Sequence, residues 1–359
     1  MKILVRYFSH LFLKNFAAAL GALTTLFVLQ TILGGVVGAA YPTDQVITYH
    51  LMKTPQILSQ MIPPAVLVAT VVTLAGLNRS HELTACYSIG IGLYQITTIL
   101  LSLVFMICCA SLIIQDRVLP PVFKKRTTYF WRTMKKRNDF FLDVKKDKIW
   151  YRSGKYIYNL KTFDPASNTI RGMSVYQFSD QFDLVGMIEA DRAVYTTEGW
   201  DLRDGTVTEF FPDSPFPETT GFDKKKLTIE ETPKDFQEIE KEVDGLRIKE
   251  LYSYINRLDE SGIDTKAYSV KLHSRLSISF IPLVMCLLGI PFSTRMRRQG
   301  GLGKDLGICL GITFFYWLFF SIGLSMGKSG VLPPWLSAWG PSFVFLAFAG
   351  SLLTFREKI

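Results

Sequence analysis

The chain has 359 residues, 48% of them hydrophobic, and 40 Lys and Arg against 31 Asp and Glu give a net charge of +9. With a mean hydropathy of +0.22 and apolar residues gathered into long runs, this composition excludes an ordinary soluble enzyme and a disordered chain, and points to an integral membrane protein. The basic excess does not argue for nucleic acid, because it lies beside the apolar runs and no DNA- or RNA-binding motif accompanies it.

Charge-free intervals place six spans at 15–43, 54–78, 83–115, 276–294, 306–327 and 329–355. Each is longer than the roughly 18 residues that mark a candidate, since crossing about 30 Å of hydrocarbon at about 1.5 Å per residue takes about 20. They form two groups of three. The first span ends near Gly38, Ala39 and Ala40, which faintly resemble a cleavage site, yet its 29 uncharged residues outrun a signal-peptide core of about 7–15. It reads as a retained helix.

Between the groups, residues 116–275 hold 28 of the basic and 27 of the acidic residues, so this interval is soluble and nearly neutral. The rest of the positive charge flanks the spans. Lys2, Arg6, Lys14, Arg79, Arg295, Arg297, Arg298, Lys304, Arg356 and Lys358 lie on one side, and only Lys53 and Lys328 in the short loops of the other. The positive-inside rule then puts both termini in the cytoplasm and exports the soluble domain.

That domain is expected to be mostly β. KIWYRSGKYIYNLKTFDPASNTIRGMSVYQFS and LVGMIEADRAVYTTEGWDLRDGTVTEFF contain strand-length runs rich in Tyr, Ile and Val, broken by Ser153-Gly154, Asp164 to Asn168, Thr197-Glu198-Gly199 and Arg203-Asp204-Gly205. Such dense turn signals predict a sandwich or jelly roll. Beyond Pro233, Leu246, Leu251, Ile255 and Leu258 fall near helical spacing, which predicts a helix closed by Gly262 that leads back to the membrane. The fold class expected is an α-helical membrane protein with six transmembrane helices plus an inserted all-β, jelly-roll-like domain. Its divisions are 1–115, 116–265 and 266–359.

None of the five cysteines lies in the exported domain; Cys86 sits in a short loop and Cys108, Cys109, Cys286 and Cys309 in spans. Disulfides and a cysteine-based metal site are not expected. His81-Glu82 opens the zinc-protease pattern H-E-x-x-H, but position 85 is alanine, so the second ligand is missing. QGGLGKD, at 299–305, approaches a phosphate loop. It has Arg298 where a glycine is needed and Asp305 where a Ser or Thr is needed, so the chain is not expected to hydrolyse ATP or to be an enzyme.

Gly34 and Gly38 in the first span, and Gly303, Gly307 and Gly311 entering the fifth, recur four apart. Small residues at that spacing let helices approach closely in lipid, either inside one bundle or at a seam between subunits that can part, each contact being worth about 1–2 kcal/mol or less. After the third span, Lys124, Lys125, Arg126, Arg132, Lys135, Lys136 and Arg137 surround Tyr129, Phe130 and Trp131. This is either a solvated connector or a surface for anionic lipid head groups.

In RSHELTACYSIGI, residues 79–91, Arg79, His81 and Glu82 stand between two spans. Asn78 or Ser80 can cap a short helix with Glu82 in its first turn, where the helix dipole favours a negative charge. Leu83, Ala85 and Cys86 then continue with helical character. A short surface helix with one projecting carboxylate is a handle for a soluble partner.

Together with IPPAVLVATVVTLAGLNRSHELTACYSIGI (62–91), LHSRLSISFIPLVMCLLGIPFSTRMRRQGG (272–301) and VLPPWLSAWGPSFVF (331–345), the layout of three spans, a β domain and three spans resembles the lipopolysaccharide-export permease family LptF/LptG. The resemblance covers essentially the whole chain. It implies the inner membrane of a Gram-negative bacterium, a β domain in the periplasm, a second permease of the same family, and a dimeric cytoplasmic ATPase that holds the ATP and magnesium. It also implies transfer of lipopolysaccharide to periplasmic jelly-roll bridge proteins, and makes the stretch near 79–91 the coupling helix, with Arg79, Glu82, Leu83 and Cys86 as its coupling residues. Some members carry a basic residue in the outer half of the first span; FVLQTILGGVVGAA has none, which shifts attention to Lys124, Lys125, Arg126 and Arg132 as the head-group site. Gly34, Gly38, Gly307 and Gly311 become candidates for helix packing at a lipid gate. A permease for another envelope lipid or lipoprotein, and a membrane-anchored scaffold or sensor, share the same sequence features.

Overall fold

The computed structural model describes residues 2–37, 41–134, 141–145, 148–153, 155–164, 169–179, 181, 183–196, 199–210, 216–227, 245–260, 264–295 and 302–354. Gly38, Lys135, Lys136, Arg137, Gly262 and Gln299, Gly300 and Gly301 of the 299–305 stretch lie outside them. The chain divides into two compact units, 1–122 with 247–256 and 264–359, and 123–246 with 257–263.

All six expected spans are helices long and apolar enough to cross a membrane. Helix α1 (Lys2–Val36) begins well before its charge-free run and is followed by a short α2 (Thr43–Leu51) that the sequence did not announce. Next come α3 (Thr54–Arg79), α4 (Glu82–Ser88) and α5 (Leu93–Ile113); helical structure continues through a π turn (Ile114–Val118), α6 (Leu119–Tyr129) and a second π turn (Phe130–Met134). After the β domain come α7 (Ile248–Glu260), α8 (Lys266–Arg295), α9 (Leu302–Lys328) and α10 (Pro334–Thr354).

Helices α3 and α8 form the centre of the bundle, with α1 and α9 outermost. Lipid offers no hydrophobic drive for helix association, so close packing and hydrogen bonds must supply it. Gly289 of α8 lies on Thr70 of α3, where a Cβ would meet the threonine methyl at 3.0 Å. Gly323 and Gly327 of α9 lie against Ser337 and Pro341 of α10. Ser277 donates to the Ala338 carbonyl (2.7 Å), Tyr316 and Ser342 share a hydrogen bond (2.8 Å), and Asn15 donates to Thr73 (2.9 Å). Each ties two spans together.

Among the described residues the inserted domain is a seven-stranded antiparallel sheet whose strands pair in chain order: β1 (Phe141–Lys145), β2 (Lys148–Ser153), β3 (Tyr156–Asp164), β4 (Thr169–Phe178), β5 (Leu184–Thr196), β6 (Gly199–Glu209) and β7 (Glu218–Leu227). The all-β expectation holds, with a meander as the connectivity of these strands. Pairing skips Lys161/Gly172, Gly172/Asp191, Asp191/Asp204 and Asp204/Asp223 without a change of register. On this line Gly172 (φ 62°) and Asp204 (φ 52°) adopt left-handed backbone.

Strands normally alternate faces with period two. Across the line, Ile170 and Met173, and likewise Ala190 and Ala193, are buried in one core although three residues apart. The skipped pairs of β3 to β7, with left-handed residues at Gly172 and Asp204, therefore crease that part of the sheet and keep the apolar face continuous. Gly205 beside the crease has no room for a side chain, since a Cβ would strike the Glu189 carbonyl and the Ala190 Cα. Tyr158, Leu160, Val175, Trp200 and Leu202 complete the core, and Trp131 packs against it.

Helix α7 was expected from Leu246, Leu251, Ile255 and Leu258, and all four are buried. Its N-terminus is held from 132 residues away: Asp116 Oδ1, in the first π turn, accepts the Ile248 backbone N–H at 2.9 Å. An acidic residue at the end of the third span thus serves as an N-cap partner.

Candidate functional site

Helix α4 has seven residues, too few to be helical alone in water, so its shape comes from what holds it. At its start His81 takes the left-handed conformation (φ 62°, ψ 8°), which turns the chain sharply out of α3. At its end Gly90 has φ +84°, its N–H bonds the Tyr87 carbonyl (3.1 Å), and the Ile91 N–H bonds the Cys86 carbonyl (2.9 Å). This is the Schellman pattern, with a glycine at the left-handed position that strains any residue with a side chain. Both ends of α4 are fixed by backbone geometry.

Leu83 and Cys86 point inward, 2% and 6% exposed, into a cluster with Phe8 and Phe12 of α1, Leu74 and Leu77 of α3, and Ile96 of α5. These two residues therefore anchor α4 to the bundle: residues three apart on a helix share a face, and that face is spent on the core. The exposed residues of this stretch are Thr84, Ala85, Tyr87, Ser88 and Ile89. Sequence reading missed them because a short amphipathic helix does not reveal which of its faces is inside. Arg79 ends α3 and is half-buried.

Glu82 is partly exposed at the first position of α4. Ser80 does not cap the helix through its side chain, as one expectation had it; its hydroxyl donates to Glu82 Oε1 at 2.8 Å, and His81 holds the cap position. Asn78 lies within α3.

The outer surface of α1 forms an open apolar groove of about 880 Å³ lined by Gly21, Ala22, Thr25, Leu26, Leu29, Gln30, Leu33 and Gly34. A Cβ at Gly34, Gly307 or Gly311 would meet nothing within 4 Å. These glycines therefore do not pack helices within this chain; Gly35, Gly289, Gly323 and Gly327 do. On α9 the same outward side carries exposed Leu310, Phe314, Phe315, Leu318 and Ile322.

Lys124, Lys125 and Arg126 follow one another on α6, about 100° apart around the helix, so they fan out rather than converge. Lys124 and Lys125 are exposed, while Arg126 lies over the Phe123 ring at 4.8 Å. Arg132 is exposed in the second π turn. Among the described residues no three His, Cys, Asp or Glu side chains are placed to hold a metal ion.

Compared with known proteins, residues 6–354 match the family model of the lipopolysaccharide export system permease LptF/LptG. The chain belongs to the LptF/LptG family. This permease is 22% identical over 324 residues to lipopolysaccharide export system permease protein LptG of Haemophilus influenzae, covering 88% of this chain and 87% of the relative. To the protein of the same name from Escherichia coli K12 it is 23% identical over 314 residues, covering 85% and 84%. Six apolar helices, the inserted β domain and membership of the family together make it a multi-pass permease subunit of lipopolysaccharide export.

Proposed function

We propose that this permease draws lipopolysaccharide from the outer leaflet of the inner membrane, powered by a separate dimeric cytoplasmic ATPase that docks on α4. The observation that carries the reading is the clamped α4, whose partly exposed Glu82 accepts from Ser80 while Leu83 and Cys86 root it in the bundle. Such a helix transmits a push instead of yielding to it. Both termini would lie in the cytoplasm, with the β domain in the periplasm handing lipid to jelly-roll bridge proteins. ATP and magnesium would belong to the ATPase alone.

Transferring acyl chains into water costs about 0.8 kcal/mol per CH₂, so a dozen methylenes cost on the order of 10 kcal/mol. Extraction needs both an energy source and an apolar shelter. A second permease of the family, facing the outward sides of α1 and α9, would close the groove lined by Leu26, Leu29 and Leu33 into such a shelter. Gly34, Gly307 and Gly311 are free for that contact. Lys124, Lys125, Arg126 and Arg132 would receive lipid phosphates one at a time along the helix.

The test is replacement of Glu82. Glu82→Lys is expected to abolish lipopolysaccharide export and weaken co-purification of the ATPase while the β domain and bundle stay folded. Normal export and normal association would reject the reading.

A further inference from the structure

Helix α1 is longer than a bilayer needs. At about 1.5 Å per residue its charge-free part, Asn15 to Val36, already spans about 33 Å, against a hydrocarbon thickness of about 30 Å. Residues 2–14 therefore continue out of the hydrocarbon, and the neighbouring helix fixes their level. Asn15 donates to Thr73 of α3, which runs the other way and ends beyond that point at Arg79. Lys14 thus lies near the level of Leu74, His10 near Asn78, and Arg6 near the start of α4.

One face of this segment is rooted in the bundle, since Phe8 and Phe12 are buried with Leu74, Leu77 and Leu83. The opposite face carries Arg6, His10 and Lys14, all exposed. They are four residues apart, so each lies about 6 Å further along the helix and is turned by only about 40° from the last, which makes one stripe. The same side also exposes Ile3 (86%), Tyr7 and Leu13. Hydrocarbon would reject the cations and water would reject the apolar side chains. A head-group layer suits both, because the apolar parts rest on the acyl boundary while the cationic ends meet phosphate.

The charge of the stripe is not spent within the chain. No acidic residue precedes Asp44. Glu82, at the level of Arg6, accepts from Ser80, and among the described residues no ion pair joins it to Arg6. The positive-inside rule calls for cations near a span end, but not for their alignment opposite a buried face.

We propose that Arg6, His10 and Lys14 form a docking surface for anionic phospholipid head groups of the leaflet at which α1 begins. The helix that lines the apolar groove from Gly21 onward is thereby held at its base by the bilayer itself.

The experiment places the full-length permease in phosphatidylcholine nanodiscs at low salt, doped with phosphatidylglycerol or phosphatidylcholine bearing the same photoreactive acyl chain. Label on peptides covering residues 2–14 is counted by mass spectrometry as the ratio of the two lipids. The wild type is expected to favour phosphatidylglycerol. Arg6→Gln and Lys14→Gln should each lower the ratio about fivefold, the factor expected per basic residue near an anionic surface, and together about thirtyfold; Arg6→Lys should retain it. Both side chains are exposed, so the thermal midpoint in phosphatidylcholine should not move, and if the double variant does not fold the single variants decide. Equal labelling by the two lipids in the wild type, or a ratio that survives both substitutions, overturns the proposal. So does an unchanged ratio with loss of ATPase co-purification, which would assign the stripe to a protein partner.

Discussion

Leu83→Ala tests whether the inward face of α4 is an anchor. Leu83 is 2% exposed, and truncating a leucine so buried costs about 2–5 kcal/mol. A seven-residue helix has almost no stability of its own, so this loss falls on the local closing equilibrium of α4 and not on the six-helix bundle. At about 1.4 kcal/mol per factor of ten, protection of the Ala85 N–H, bonded to the His81 carbonyl, and of the Ile91 N–H, bonded to the Cys86 carbonyl, should fall roughly 30- to 4,000-fold. Hydrogen exchange followed by mass spectrometry in nanodiscs reads this in peptides covering 82–91. Peptides from the middle of α3 and α8 should exchange as before. The exposed control Thr84→Ala should leave exchange of α4 unchanged. Unaltered protection of α4 in Leu83→Ala, or an equal loss throughout α3 and α8, would refute the assignment of Leu83 as a local anchor.

Three further outcomes follow from the packing. Gly327→Leu should lower the thermal midpoint by forcing a side chain into Ser337 and Val270, a strain of about 1–3 kcal/mol, whereas Gly311→Leu, which meets nothing within this chain, should leave the midpoint unchanged and instead reduce pairing of permeases on native gels. Asp116→Ala removes the acceptor of the Ile248 N–H and should speed exchange at the start of α7 about fivefold, for a cost of about 1 kcal/mol, with Asp116→Asn retaining most of the protection. Gly205→Val drives a side chain into the backbone of β5 and should make the β domain sensitive to limited proteolysis while the membrane helices remain intact.

Much of this protein could be read from its sequence, because the bilayer imposes a strict rule. Backbone polar groups in lipid must be satisfied within the helix, so each apolar run of sufficient length becomes a span, and all six did. The β domain was legible through its turn residues, and α7 through the spacing of Leu251, Ile255 and Leu258. Glu82 stood out because a charge between two spans is conspicuous. What the sequence could not assign was direction. It marked Leu83 and Cys86 as part of the site, but not that they face inward and that Thr84, Tyr87 and Ile89 face out.

The glycines show the same division. Spacing of four singled out Gly34, Gly307 and Gly311, yet the helix contacts within the chain fall on Gly289, Gly323 and Gly327. Periodicity gives the faces of a helix but not which neighbour each one meets. The crease of the sheet and the cap that Asp116 gives α7 both join residues far apart in the chain. Local propensity and hydropathy decided which segments are helix, strand or loop, since those choices are settled within a few residues by backbone hydrogen bonding and solvent. Only the tertiary structure decided which side chains meet, because that depends on how whole helices and strands are placed against one another.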